Sequence, residues 1–198
     1  MTCAPRLCLA AALLLGGCAT QDSRVSEYLD PQTAVTIRAL TAPAVYAHDA
    51  PELAANARDY LSLGLVEVNN MGARKHYLAL VSWSTIDRSR AGVAAVPVPE
   101  RVELDLGGKP REFTPASHEP RTLGIGGTPF RPASGYAGEA WYAVTPADLR
   151  ALAAAPSTAI TLIEDDRRIR YGTWHAENAA VAEFVRDIPD AVAPDSRR

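Results

Sequence analysis

The sequence predicts a mainly β protein: an antiparallel β-sandwich or a strongly bent sheet of eight or nine strands, with two short helices near the C-terminus. Apolar and polar residues alternate along several short segments, which is the period of half-buried strands. Turn-forming residues join these segments into local hairpins, and hairpins build antiparallel sheets. A helical period occurs in only two segments, both after residue 145.

The first half of the chain contains the predicted centre of the sheet. Residues 33–38 alternate as a strand and residues 45–46 suggest a second, shorter one. The strongest pattern covers residues 59–69 and 75–86, which an Asn-Asn-Met-Gly turn joins into a long hairpin. Because these strands exceed the usual length, we expect a β-bulge near Gly64.

The second half continues with shorter elements. They are a hairpin over 101–106 and 109–114, a strand over 139–144, a helix from Pro146 to before Pro156, a hairpin over 158–164 and 168–174, and a helix over 176–186. Thr145 and Pro146 are typical of a helix cap and first position. Asp165 and Asp166 predict a solvated hairpin tip.

Residues 115–138 interrupt the strand pattern with four prolines and five glycines. A loop this long in a compact domain is uncommon and often functional. It contains Ser117-His118-Glu119, but adjacent side chains point apart, so His118 is only a weak candidate for a catalytic residue. Prolines follow the run from Gly124 to Gly127 where a phosphate-binding loop needs a helix, so we interpret the run as flexible loop.

Composition and spacing argue against several kinds of partner. The formal net charge is −3 and no basic block is present, so we expect no nucleic-acid partner. The histidines are dispersed, at His48, His76, His118 and His175, and no pattern with zinc-ligand spacing occurs. We therefore expect no metal and no cofactor, and His76 is expected on a strand surface.

The tryptophans at 83, 141 and 174 all lie on predicted strands. We expect them mainly in the core, because a tryptophan buries a large area. The alternative is an exposed stacking surface for a glycan. Tyr136, Trp141 and Tyr142, which lie beside the long loop, are the candidate exposed binding residues.

The first residues carry a different pattern. Arg6 precedes an apolar run over residues 7–15, which is too short to span a bilayer as a helix. Small residues follow, as in an export signal. Leu15-Gly16-Gly17-Cys18 resembles the lipobox of bacterial lipoproteins. The resemblance implies that residues 1–17 are a removed signal peptide and that Cys18 carries a diacylglycerol, which makes membrane lipid a partner.

The resemblance also implies a location. Residue 19 is Ala, whereas an Asp there commonly retains Gram-negative lipoproteins at the inner membrane, so we expect the outer membrane, facing the periplasm. Cys3 and Cys8 lie in the expected signal peptide, and no cysteine follows Cys18. The mature chain therefore lacks the cysteines for a disulfide framework. The predicted organisation is a lipidated tether over 18–31, one β-rich domain over 32–189 and a frayed tail over 190–198.

Two functions are open at this point. The first is a non-catalytic envelope module that binds a protein or glycan or has a structural role. The alternative is a periplasmic hydrolase with its site in the loop from Pro115 to Gly138. We favour the first, because no G-x-S-x-G motif or metal-ligand motif is present.

Overall fold

The computed structural model describes residues 23–88, 96–98, 100–130, 136–155 and 159–189. Within them lie ten strands, two α-helices and a 3₁₀ turn at Pro120–Leu123. The strands are β1 (Val25–Leu29), β2 (Thr36–Leu40), β3 (Ala44–Asp49), β4 (Arg58–Asn70), β5 (Ala73–Ser84), β6 (Arg101–Asp105), β7 (Pro110–Phe113), β8 (Tyr136–Val144), β9 (Ile160–Glu164) and β10 (Arg167–His175), and the helices are α1 (Pro146–Ala154) and α2 (Asn178–Arg186). All pair into one antiparallel sheet that is not closed, which confirms the predicted fold class.

The hairpin of β4 and β5 forms the centre of the sheet. Its register is continuous from Asp59 opposite Ser84 to Asn70 opposite Ala73. The predicted bulge near Gly64 is therefore wrong. Gly64 has a packing role instead, since the ring of Phe130 occupies the place of its missing Cβ.

The sheet branches along one edge of β4. β3 pairs with the first half of β4 and β2 with the second half, so β2 and β3 run in the same direction with residues 41–43 between them. Pro43 suits this break because proline has no N–H to donate to a ladder. On this side of β4, β1 pairs with the free edge of β2, and the series β10, β9, β6 and β7 continues the sheet from β3. On the other side, β8 pairs with the free edge of β5.

The bend gives the sheet an inner face, which encloses the main core with both helices, and an outer face. The main core combines Leu63 and Leu80 of the central hairpin with side chains from the strands on either side of it and from both helices. These include Leu104, Tyr142, Ile160 and Tyr171, with Leu149 of α1 and Phe184 of α2. On the outer face, a second core contains Val66, Ala79 and Trp141, covered by Ile125 and Phe130 of the long loop. The middle strands are thus buried on both faces.

The long loop is held at fixed points. Gly124 ends the 3₁₀ turn in the left-handed region, with φ of 82°. Gly126 donates its backbone N–H to the Asp30 carboxylate, which also accepts the N–H of Gln32 at 2.9 Å. These hydrogen bonds hold the pKa of Asp30 below its usual value. The glycine run that we interpreted as flexible loop therefore makes specific contacts.

The predicted tether over 18–31 is too long. Residues 25–29 form β1, which pairs with β2 from Val25 opposite Leu40 to Leu29 opposite Thr36. The residues of this edge strand are exposed or only partly buried, so its order comes from hydrogen bonds to β2 rather than from burial. The proposed signal peptide, Cys18 and the C-terminal tail lie outside the described residues.

Candidate functional site

Two aromatic rings stack on the outer face, near the start of β4. Tyr60 lies opposite Trp83 on β5, with ring centroids 4.1 Å apart and planes within 9°. Trp83 donates its Nε1–H to Ser62 Oγ at 3.0 Å. Both rings are buried, so the stacked pair forms a rigid support for neighbouring side chains.

Trp174 of β10 lies beside this stacked pair and is 56% exposed. Its ring is perpendicular to that of Tyr60, at a centroid distance of 6.0 Å. In the ladder between β10 and β3, Thr173 opposes Tyr46 and His175 opposes Val45, so Trp174 is the extra residue of a β-bulge. A bulge re-aims a side chain, and bulges are frequent next to functional sites.

Arg58 completes the arrangement. Its Cζ lies 4.7 Å from the centroid of the Trp174 ring, and its Nε donates to Asp49 Oδ1 at 2.6 Å. This hydrogen bond raises the pKa of Arg58, and the charged guanidinium lies over the face of the ring. We call Arg58, Tyr60, Trp83 and Trp174 the aromatic surface.

The aromatic surface offers an apolar ring and directed N–H donors side by side. One face of Trp174 carries the guanidinium, and more than half of the side chain is in contact with solvent. Gly172, on the same strand, leaves open space next to it, because no heavy atom lies within 4 Å of where its Cβ would be. A flat ligand with one apolar face and polar edges matches this arrangement.

Sequence reasoning chose other aromatic residues, and for two of them it is wrong. Trp141 and Tyr142 both have 0% exposure. Neighbouring residues of β8 point to opposite faces, and each face of this strand has its own core, so both are covered. Tyr136 begins β8, where its backbone pairs with Trp83; its side chain lies outside what the structure describes.

A sequence signal for Trp174 did exist. Ile169 and Tyr171 point to the core, whereas Arg168, Arg170 and Gly172 alternate with them on the other face. Trp174 continues that polar face, which predicts exposure.

His118 is exposed in the long loop, and its Nδ1 lies 3.2 Å from the carbonyl oxygen of Glu139. The Ser117 hydroxyl donates to the Glu119 carbonyl at 2.8 Å, and the Glu139 carboxylate accepts from Thr128. The hydrogen bonds found in the described ranges do not join the imidazole of His118 to a hydroxyl or a carboxylate. The arrangement therefore lacks the contacts by which a histidine activates a nucleophile.

The structure brings together another set that sequence reasoning missed. His48, Asp59 and Ser84 lie side by side across β3, β4 and β5. A hydrolytic triad needs the histidine between the hydroxyl and the carboxylate, whereas here Asp59 occupies the middle. Asp59 pairs with Arg88, and Ser84 donates to the Arg58 carbonyl at 3.2 Å, so this set has a structural arrangement.

A buried ionic row crosses the other end of the inner face. Glu67 lies between Arg38 and His76, and its carboxylate binds His76 Nε2 at 2.9 Å and Arg74 Nη1 at 3.1 Å. Burial raises the pKa of Glu67, but these partners outweigh it and the net pKa is lowered. The prediction that His76 is a surface residue is wrong, since it is buried against Glu67.

The same row holds helix α2. Arg38 donates to the carbonyl of Phe184 at 2.8 Å and to the Asp187 carboxylate at 2.8 Å, and its guanidinium lies over the Phe184 ring. These contacts make the row a clamp between the sheet and the helix.

In the part of the chain that the structure describes, no three His, Cys, Asp or Glu side chains are placed to hold a metal ion. None of the helices described there has the length and hydropathy needed to cross a bilayer. No family model, curated protein or solved structure matches the chain.

Proposed function

We propose that this chain is a lipid-anchored protein of the bacterial cell envelope whose β domain binds a partner without catalysing a reaction. The lipobox-like sequence ending at Cys18 supports the anchor and, with Ala19, the outer membrane facing the periplasm. The observation that carries the binding role is the exposure of Trp174 on a bulge, against Tyr60 and under Arg58.

Removing the exposed Trp174 ring from water by binding a partner is energetically favourable. An exposed tryptophan keeps a large apolar area in water, and burial of apolar area is worth about 25 cal/mol per Å². The buried stack of Tyr60 and Trp83 fixes one edge of Trp174, so little side-chain entropy remains to be lost on binding. A sugar ring or a planar side chain of an envelope protein has the matching combination of apolar face and polar edge.

The alternative, a periplasmic hydrolase with its site in the loop from Pro115 to Gly138, has no comparable support. A hydrolase of this kind needs His118 to be hydrogen-bonded to a hydroxyl and a carboxylate. Instead, the Ser117 hydroxyl donates to the Glu119 carbonyl, and the Glu139 carboxylate accepts from Thr128. We therefore keep the binding role.

The binding role is tested by photocrosslinking in intact cells. A photoreactive residue in place of Gly172 would lie beside Trp174, in open space; one in place of Gly127, also in open space, serves as the control. We expect a specific adduct from position 172, either a protein band or protein retained on the cell wall, and its loss when Trp174→Ala is added.

Two results would argue against the proposal. One is an adduct from position 172 that Trp174→Ala does not change. The other is equal labelling from positions 172 and 127, together with turnover of a peptidoglycan or ester substrate by the purified protein.

A further inference from the structure

The outer face of the sheet is bare beside Trp174. Gly172 and Ala47 lie opposite each other on β10 and β3, and Ala47 in turn lies opposite Tyr60 of the aromatic surface, so all three share one face. Gly172 has no side chain, Ala47 has only a methyl group, and no heavy atom lies within 4 Å of the place where a Cβ of Gly172 would be. The sheet therefore has a shallow depression here, two strands wide.

Two different kinds of side chain bound the depression along β10. Trp174 lies on one side and Arg170 on the other, four residues apart, which corresponds to roughly 13 Å along a strand. The register between β10 and β3, continued by two residues, places Arg170 beside Asp49. The depression thus has an apolar ring at one end and a guanidinium next to a carboxylate at the other.

Asp49 presents an acceptor to this depression. Its side chain is 75% exposed, and its Oδ1 accepts from Nε of Arg58 at 2.6 Å. Among the described residues no donor binds Oδ2, and Arg170 is exposed and has no acidic partner there. Because the bond from Arg58 orients the carboxylate, Oδ2 and the guanidinium of Arg170 are available side by side as an acceptor and a donor.

We propose that this depression binds one pyranose ring of a glycan whose ring substituents are equatorial, and we call Ala47, Asp49, Arg170, Gly172 and Trp174 the sugar subsite. This inference rests on the proposed binding role, for which it names the ligand class. In such a sugar the axial C–H bonds make each face of the ring apolar, and hydroxyl groups surround its edge. One face lies over Gly172 and against the exposed part of Trp174, with hydroxyls toward Asp49 and Arg170.

The charges around the sugar subsite favour an uncharged ligand. Asp49 is paired with Arg58 and, on the same face, Glu103 is paired with Arg168 at 2.7 Å. A surface whose acids and bases are paired in this way has little net field to attract a polyanion or a polycation. A sugar hydroxyl both donates and accepts, so a carboxylate and a guanidinium side by side satisfy it.

The small apolar area favours a sugar over a protein partner. A stable protein interface buries about 800 Å² on each side around an apolar centre. Trp174 is the one large apolar side chain exposed on this part of the described surface. The other four that are exposed in the described residues lie at the far end of β4 or beside β8: Tyr28, Leu29, Met71 and Val98. A single isolated ring matches a glycan, which is bound one sugar at a time.

Saturation-transfer NMR with the purified protein tests this inference. The probes are cellotetraose, chitotetraose and peptidoglycan glycan strands freed of their peptides, which distinguish a plain glucan, an N-acetylated sugar and the wall polymer. We expect at least one of them to bind with a dissociation constant of roughly 1 mM, the strength typical of about a dozen ligand atoms. The axial ring protons should receive the most saturation, because they face the indole.

Two variants separate the ring from the space beside it. Trp174→Ala should abolish the transfer. Gly172→Val should abolish it too, because the new side chain fills the depression while the ring and the charges remain. Valine suits an exposed strand position, so this variant should keep the wild-type urea midpoint. Gly127→Val, at another glycine with open space, is the matched control and should bind the sugar as the wild type does.

The polar end of the sugar subsite has matched pairs as well. Arg170→Ala should weaken binding severalfold, whereas Arg167→Ala, the same change at the exposed tip of the β9–β10 hairpin, should not. Asp49→Asn should likewise weaken binding, whereas Glu103→Gln, which also neutralises an acid paired with an arginine on this face, should not.

The absence of Trp174-dependent transfer to all three probes would overturn the inference, as would binding that Gly172→Val leaves unchanged. If the crosslink from position 172 nevertheless captures a protein in a manner that depends on Trp174, the proposed binding role stands and the sugar is wrong. If neither a crosslink nor sugar binding is found, the proposed function is contradicted as well.

Discussion

Phe130 fills the space above Gly64, so that a ring from the long loop covers this part of the outer face of β4. A Cβ at position 64 would overlap the edge of that ring. We predict that Gly64→Ala lowers the free energy of unfolding by about 1–3 kcal/mol, because the ring or the strand must shift. Urea denaturation measures the change.

Gly127→Ala is the control for this substitution. It is also a glycine of the outer side, but open space surrounds its Cβ position, so the substitution should leave stability within about 0.5 kcal/mol. If the two variants unfold at the same urea concentration, Phe130 does not pack on Gly64 as described.

The second prediction concerns the ionic row at Glu67. Its pKa is lowered in the folded protein, so ionised Glu67 stabilises the fold. This contribution is complete above the unfolded pKa, about 4.3, and is lost as the pH falls through the folded pKa. We expect Glu67→Gln to cost about 2 kcal/mol near neutral pH, because the neutral amide lacks the charge that binds Arg74 and lies opposite Arg38, and much less near pH 3.

Denaturation as a function of pH checks the second prediction, with Glu52→Gln as a control on an exposed turn. The control should follow the wild type at every pH. A stability difference for Glu67→Gln that stays constant from about pH 7 to about pH 3 would contradict the role assigned to its ionised form.

The third prediction separates structural from exposed tryptophans. Trp83→Ala should destabilise the protein by about 3–5 kcal/mol, because the ring is buried and stacked on Tyr60. Trp174→Ala should cost less than about 1 kcal/mol, because more than half of that ring is already in water. Equal losses, measured by thermal unfolding, would mean that Trp174 is held by the fold and is not available to a partner.

Local sequence patterns sufficed for much of the fold. The hairpins β4–β5, β6–β7 and β9–β10 have clear alternation and turn residues, and the capping box of α1 joins Thr145 and Asp148 as its sequence suggests. The strand β1 was missed because its order comes from pairing with β2, which is separated from it in the chain by a turn that local propensity does not reveal.

The candidate site was harder to predict, because its residues come from β4, β5 and β10. The ladder order that places β10 beside β3 is a long-range property of the sheet, so the contact of Trp174 with Tyr60 could not be inferred from spacing. The burial of Trp141 likewise depends on the distant Ile125 and Phe130 covering the outer face. The sequence does show that one face of β10 is polar and that Trp174 is the one large apolar residue on that face.

Lipidation of Cys18 is the claim on which the proposed location depends, and membrane flotation with intact mass measurement tests it most directly. We predict that the wild-type protein floats with membranes and has the mass of residues 18–198 plus acyl lipid, whereas Cys18→Ser does not float and carries no lipid. A wild-type protein without lipid, or Cys18→Ser that still floats, would contradict the account.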